Sequence, residues 1–230
     1  MLNTNILGKK LLFVIAHPDD ESFLAAGTAH QNRLKGGKNY IICATFGEQG
    51  RAHLKTPVGT KELAQIRKQE LIKVSDFLKT DGLFFLNLPD TKVKNHKKEL
   101  SEKTQKIISK IKPDFILGFG PDGVSGHLDH IAAGEVAGKL AKKSKIPYLA
   151  FAASPEFAKN FNQTMKRRKH GKYGKNIVHQ KPNLKIKIDY RVKVKAFKFH
   201  KSQFGSQTLL QDFPKSVKNG FMGYEYYVQE

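Results

Sequence analysis

The sequence predicts an α/β fold: a Rossmann-like three-layer sandwich with a mostly parallel sheet and C-terminal additions. Three observations lead there. Short apolar runs alternate with amphipathic segments about five times over the first two-thirds of the chain, the pattern of strands connected by covering helices. The runs are apolar almost throughout instead of alternating with polar residues, which suits strands buried on both faces. The length, 230 residues, is enough for one full-sized domain with a substantial core.

The elements follow in order. LLFVIA (Leu11 to Ala16) has the length of a strand, and a helix-like stretch from Ser22 to Lys35 stops at Gly36-Gly37. YIICATF (Tyr40 to Phe46) is β-branched and apolar, and a polar loop then leads to Thr60, an expected N-cap. Leu63, Ile66, Leu71, Val74 and Leu78 recur near the helical period. LFFL (Leu83 to Leu86) reads as the next strand. The charged helix after it carries Leu100, Ile107, Ile108 and Ile111 and ends before Pro113. FILGFG (Phe115 to Gly120) is strand-like, a Gly-rich loop leads into a helix from about Leu128 to Lys143, and YLAFAA (Tyr148 to Ala153) closes the series. Beyond it the pattern breaks. A basic segment, Lys159 to Lys175, precedes a strand-like LKIKI (Leu184 to Ile188), a helix-like stretch near Val192 to Gln203 and an aromatic FMGYEYYV. With no internal repeat and no clear linker, the chain reads as a single domain with a core over 11–153 and an extension over 154–230.

Composition narrows the setting. The apolar runs are far too short to span a bilayer. The first of them ends in His-Pro-Asp-Asp-Glu instead of a cleavage site, so a cytoplasmic protein is expected. Cys43 is the only cysteine, which rules out an internal disulfide and a cysteine-rich metal site. The formal net charge of +21 would attract polyanions, but the lysines are spread at helix-face spacing and suit a solvated surface.

Two segments carry the chemistry. His17-Pro18-Asp19-Asp20-Glu21 directly follows the first strand, and Gly126-His127-Leu128-Asp129-His130 follows FILGFG at the start of the next helix. In open α/β sheets ligands collect outside the carboxyl ends of the strands, where both segments lie. Histidine and carboxylate together suit one zinc ion held by three protein ligands with a fourth position for water. His17 and Asp20, three residues apart, supply two of them and His130 the third. Pro18 fits a first-turn position. Asp19 is the spare carboxylate, placed to take a proton from metal-bound water. His127 is placed to donate to the leaving group or the oxyanion, with Asp129 orienting its ring. Two histidines and one aspartate also accept other divalent metals.

These residues resemble the LmbE-like or PIG-L family of zinc N-acetylglucosaminyl deacetylases. The resemblance rests on His17-Pro18-Asp19-Asp20-Glu21, the following Phe23-Leu24-Ala25-Ala26-Gly27, and Gly126-His127-Leu128-Asp129-His130, with an echo at His200-Lys201-Ser202-Gln203. It implies a Rossmann-like fold, His17, Asp20 and His130 as zinc ligands, Asp19 as general base and His127 as acid or oxyanion stabiliser. It also implies removal of an acetyl or similar acyl group from a glucosamine-containing small molecule, and aligns Glu48 and Arg67 with substrate-contacting positions. The chain departs from the family at Leu128, where proline is frequent, and at Ser125, where some members carry a tyrosine.

A second class of function, a basic Rossmann-like protein that binds polyanions or nucleic acid beside a vestigial metal site, is motivated by the net charge and the run Lys166-Arg167-Arg168-Lys169-His170. No RNA-module signature and no aromatic–basic interleaving accompany that run, so no specific nucleic acid is expected. A nucleotide-binding oxidoreductase is excluded because no G-x-G-x-x-G follows the first strand. The remaining histidines, His30, His53, His96, His170 and His179, are expected at the surface, while His200 reads equally as a capping or a packing residue. Sheet edges leave room for a homo-oligomer.

Overall fold

Each of the five apolar runs forms a strand: β1 (Lys10–Ile15), β2 (Lys38–Cys43), β3 (Gly82–Phe85), β4 (Phe115–Phe119) and β5 (Tyr148–Ala152). The computed structural model describes residues 6–50, 54, 56–160, 178–204 and 223–229. The five strands are parallel. β6 (Leu184–Lys187) and β7 (Tyr224–Gln229) complete one sheet in the order β3-β2-β1-β4-β5-β7-β6. β7 runs antiparallel to both β5 and β6, so the mostly parallel sheet closes with an antiparallel edge formed by the C-terminal additions. β1 lies between β2 and β4, with Leu12 opposite Tyr40 on one side and Ile116 on the other. Its residues from Leu11 to Ile15 are buried, as a strand covered on both faces requires.

Helices cover the two faces. They are α1 (Asp20–Leu24), α2 (Ala26–Leu34), α3 (Thr60–Leu78), α4 (Lys97–Ile111), α5 (Gly123–Gly126), α6 (Leu128–Ser144), α7 (Tyr190–Phe199) and α8 (Lys201–Phe204). α2, α3 and α7 pack together, as do α4 and α6. In α4 the buried set Leu100, Thr104, Ile108 and Ile111 follows the helical period.

The local differences from expectation have physical causes. The stretch expected as one helix from Ser22 is two, broken at Ala25, whose φ of −143° is not helical. Glu225 of β7 explains the restart: its carboxylate accepts the N–H groups of Gly27 (3.0 Å) and Thr28 (2.7 Å), which the first turn of α2 leaves unpaired. Gly59 occupies the cap of α3, and Thr60 is its first helical residue with no side-chain cap. Pro18 stands ahead of the cap residue Asp19 instead of within the first turn. The basic run Lys166–His170 lies outside the described residues.

Helix α6 reaches β4 through a glycine. A Cβ on Gly134 would stand 2.0 Å from the carbonyl oxygen of Phe119, whereas one on Gly138 would meet nothing nearer than the Tyr148 ring at 3.7 Å. Gly134→Ala is therefore expected to destabilise the protein by about 1–3 kcal/mol through overpacking. Gly138→Ala is expected to be neutral or to stabilise by up to about 1 kcal/mol, because alanine is the better helix former. Urea unfolding of the two variants checks this, and equal effects would overturn it.

Candidate metal centre

The loops after β1 and β4 meet at the carboxyl edge of the sheet, where the strand order reverses between these two neighbours. His17 Nδ1 lies 3.3 Å from His130 Nε2, and His130 Nε2 lies 3.2 Å from Asp20 Oδ1. The nearest approach of Asp20 to His17 Nδ1 is 3.8 Å. Donors bound at zinc distances of about 2.0–2.1 Å around a tetrahedron stand about 3.3–3.4 Å apart, so this spacing fits one small cation.

The surroundings fix which atom of each residue faces that point. Asp20 Oδ2 accepts the N–H groups of Ala16 (3.1 Å) and His17 (2.8 Å), leaving Oδ1 toward His130. His130 donates its Nδ1–H to the Gly123 carbonyl (3.0 Å), and its ring stacks on Phe119 at 4.0 Å. His17 donates Nε2–H toward Asp90 Oδ1 (3.1 Å) and Asp129 Oδ2 (3.3 Å). With both outer nitrogens donating, two imidazole lone pairs face each other across 3.3 Å, and only a proton or a metal ion between them removes the repulsion. The charges agree. Burial works against an imidazolium at His17, yet Asp129, Asp90 and Asp20 outweigh it and push its pKa up to about 10. This cluster of carboxylates favours a cation, and the residues present fit the divalent metal that the sequence implies.

Two other groupings bring donor atoms within 4.8 Å of one another, His17–His127–His130 and His17–Asp90–Asp129. In the second, the carboxylates are already engaged: Asp90 accepts Gln49 N–H (2.8 Å), and Asp129 accepts Thr91 N–H (2.7 Å) and Val93 N–H (3.1 Å). They act as the outer partners of a ligating histidine.

Asp19 stands beside the donors in a strained conformation, φ 117° and ψ −27°. Arg67 reaches it from α3: its guanidinium donates to Asp19 Oδ2 (3.2 Å), to Pro18 O (2.5 Å) and to Gly47 O (2.6 Å). Gly47 is required there, since a Cβ would come within 2.3 Å of that guanidinium. Arg67 is only 3% exposed, and both its terminal nitrogens are spent on the protein. The guanidinium thereby grips the loop that carries Asp19. Burial raises the Asp19 carboxyl to about 6, with Arg67 opposing and Asp20 adding to the rise.

His127 accepts the Asp129 N–H at Nδ1 (3.2 Å), which leaves the proton of the neutral ring on Nε2. Burial, with the neighbouring His17 and His130, lowers its pKa to about 4. Asp129 thus reaches His127 through its backbone, while its carboxylate, expected on the His127 ring, goes to His17. Glu48 Oε1 accepts Asp90 N–H (2.9 Å), and its Oε2 is buried without a hydrogen-bond partner among the described residues. Ser125 Oγ lies 3.4 Å from His130 Nδ1, where no phenol is available.

Asp90 was not singled out in the sequence, although Leu88-Pro89-Asp90 follows the third strand at the same sheet edge and so carried the positional signal. His179 departs from the surface reading, and His200 is a packing residue. His200 is wholly buried, and His179 is half-buried with its ring 3.8 Å from Asp122. His53 and His170 lie outside the described residues. No described helix is long and apolar enough to cross a membrane.

Comparison with known proteins gives a consistent result. A family model described as PIG-L, GlcNAc-PI de-N-acetylase, matches residues 12–141. The chain is 33% identical over 156 residues to a probable N-acetyl-alpha-D-glucosaminyl L-malate deacetylase 2 of Bacillus anthracis, covering 64% of this chain and 69% of that relative. It is 26% identical over 172 residues to the 1D-myo-inositol 2-acetamido-2-deoxy-alpha-D-glucopyranoside deacetylase of Corynebacterium diphtheriae, covering 66% of this chain but only 58% of that relative. In fold it is similar to the N,N'-diacetylchitobiose deacetylase of Pyrococcus horikoshii, with a TM-score of 0.70, 23% identity, and coverage of 96% of this chain and 84% of that one.

Proposed function

Because the chain belongs to the PIG-L family of GlcNAc-PI de-N-acetylases, we propose that it is a metal-dependent hydrolase that removes the N-acetyl group from a glucosamine-containing small molecule. One observation carries the reading: His17 Nδ1, His130 Nε2 and Asp20 Oδ1 converge at metal-ligand spacing with the non-ligating carboxylate of Asp19 next to them.

His17, Asp20 and His130 would hold the ion, zinc by ligand type, although the set suits other divalent metals. When bound, the ion supplies Lewis acidity toward the acyl carbonyl and lowers the pKa of water in the site. The residues of the chain do the rest. Asp19, with one oxygen held by Arg67, takes the proton of the water that attacks the acetamide carbon. His127, neutral with its proton on Nε2, donates a hydrogen bond to the developing oxyanion, and Asp19 passes the proton it has taken to the departing amine. Asp129 and Asp90 fix the His17 ring by accepting from Nε2. Glu48, with one oxygen unpartnered, is assigned to a sugar hydroxyl. The relatives' names share an N-acetylglucosamine unit and differ in what it is joined to, malate or inositol. The proposed substrate is accordingly an N-acetylglucosaminide with a small polar aglycone.

The test is amine release from free N-acetylglucosamine, its α-malate and α-inositol glycosides, and diacetylchitobiose. Release by the zinc-loaded protein, abolished by a chelator and restored by zinc, is expected with at least one glycoside. A protein that holds one metal ion and releases amine from none of them would overturn the substrate class.

A further inference from the structure

The strained backbone of Asp19 needs something to hold it, and the hydrogen bonds lead away from the metal. Its N–H donates to Glu21 Oε2 (3.0 Å). The other oxygen of Glu21 accepts two short bonds, from Ser22 Oγ–H (2.6 Å) and from His200 Nε2–H (2.6 Å). His200 follows α7, 179 residues from Glu21 in sequence, and is completely buried, as is Glu21 at 1% exposure. On the far side of the His200 ring, Nδ1 lies 3.9 Å from Glu70 of α3. The Glu70 carboxylate in turn accepts Ser202 N–H (2.7 Å) and Ser202 Oγ–H (2.6 Å) at the start of α8. Two carboxylates are thus buried on either side of one imidazole, an arrangement that is costly unless that ring is charged and hydrogen-bonded. Nε2 meets the condition through its short bond to Glu21, Nδ1 faces Glu70 without a hydrogen bond among the described residues, and Glu21 prevails over burial to raise the pKa of the ring.

We propose that His200 is a positioning residue for the base: it grips Glu21, and Glu21 holds the backbone of Asp19 in the conformation that sets its carboxylate beside the metal ligands. On this account the segment His200-Lys201-Ser202-Gln203 of the C-terminal extension is part of the catalytic apparatus without touching substrate. Arg67 clamps the Asp19 side chain from one direction, and the His200–Glu21 pair clamps its main chain from the other. An ion pair serving stability alone would not require the second Glu21 oxygen to meet the Asp19 amide.

The inference rests on the deacetylase reading for its effect on turnover, and on geometry alone for its effect on the Asp19 amide, so it is tested both ways. In His200→Ala, kcat is expected to fall about 10- to 100-fold, the range typical of residues supporting a metal site, with KM and the single metal retained. His200→Gln, which keeps an N–H donor toward Glu21, should recover part of that loss. In an Asp19→Asn background His200→Ala should cost nothing further, because the residue acts only through Asp19. Should His200→Ala fail to fold, Glu21→Gln carries the test, since its amide offers one oxygen where two are used. Amide exchange provides the arm independent of activity. The Asp19 N–H should exchange about tenfold faster in the variant, while the Gly27 N–H, bonded to Glu225, stays as in the wild type. Unchanged kcat and unchanged Asp19 exchange would overturn the proposal, as would an equal loss in the Asp19→Asn background. A wild-type protein that releases no amine would count against the deacetylase reading alone, with the exchange measurement still deciding the role of His200.

Discussion

Asp19→Asn is expected to keep one bound metal ion per chain and to lose about 10²- to 10⁴-fold in kcat, the contribution of a positioned general base. Asparagine is chosen because Asp19 sits at φ 117°, a region that asparagine and aspartate tolerate better than other side chains. The substitution also leaves an oxygen for Arg67 and the backbone N–H for Glu21, so the loop keeps its shape. What it removes is the negative oxygen that accepts a proton. Metal analysis and steady-state kinetics on the same preparation separate the two roles. If the metal is lost together with turnover, Asp19 is a ligand and the assignment of Asp20 is wrong. If turnover stays at the wild-type level, another group takes the proton.

The ligand segments were legible in the sequence because their chemistry is local. His17 and Asp20 lie within one turn of chain, His127 and His130 within another, and both follow apolar runs that could only be strands. Their place at the carboxyl ends of two strands paired the segments, the family resemblance agreed, and the sheet brings them to 3.3 Å. The residues that support the ligands were harder to read, because each owes its place to a contact between distant parts of the chain. Asp90 reaches His17 only once β3 has paired with β2, and Glu225 caps α2 only because β7 inserts beside β5. On α3 the helical period puts Arg67 and Glu70 on the face of Leu63, Leu71, Val74 and Leu78, but it does not show what they meet: the partners they serve come from the loop after β1 and from α8. Likewise, nothing local in Phe23-Leu24-Ala25 announces a break: the restart at Ala26 is set by a carboxylate some two hundred residues away.

His130→Ala tests the ligand set itself, and its expected effect is the larger of the two. It should abolish stoichiometric metal binding, a loss beyond the roughly 10–100-fold that changes to outer partners cost, and reduce amine release to the chelated baseline. The fold should survive, because the strands beneath the site are buried independently of it and His130 adds to them a stack on Phe119 and a hydrogen bond to the Gly123 carbonyl. A ligand that binds only the folded state stabilises it, so zinc should raise the Tm of the wild type and leave that of His130→Ala unchanged. Metal content and the zinc-dependent Tm shift therefore report on the same event without relying on substrate. The competing arrangement predicts the reverse. Were His17, Asp90 and Asp129 the ligands, His130→Ala would keep its metal and its Tm shift, while Asp90→Asn would lose both. The hydrogen bonds already argue against that outcome. Asp90 and Asp129 meet backbone N–H groups and the protonated nitrogen of His17, whereas His130 Nε2 and Asp20 Oδ1 face a point where only a positive charge relieves their repulsion.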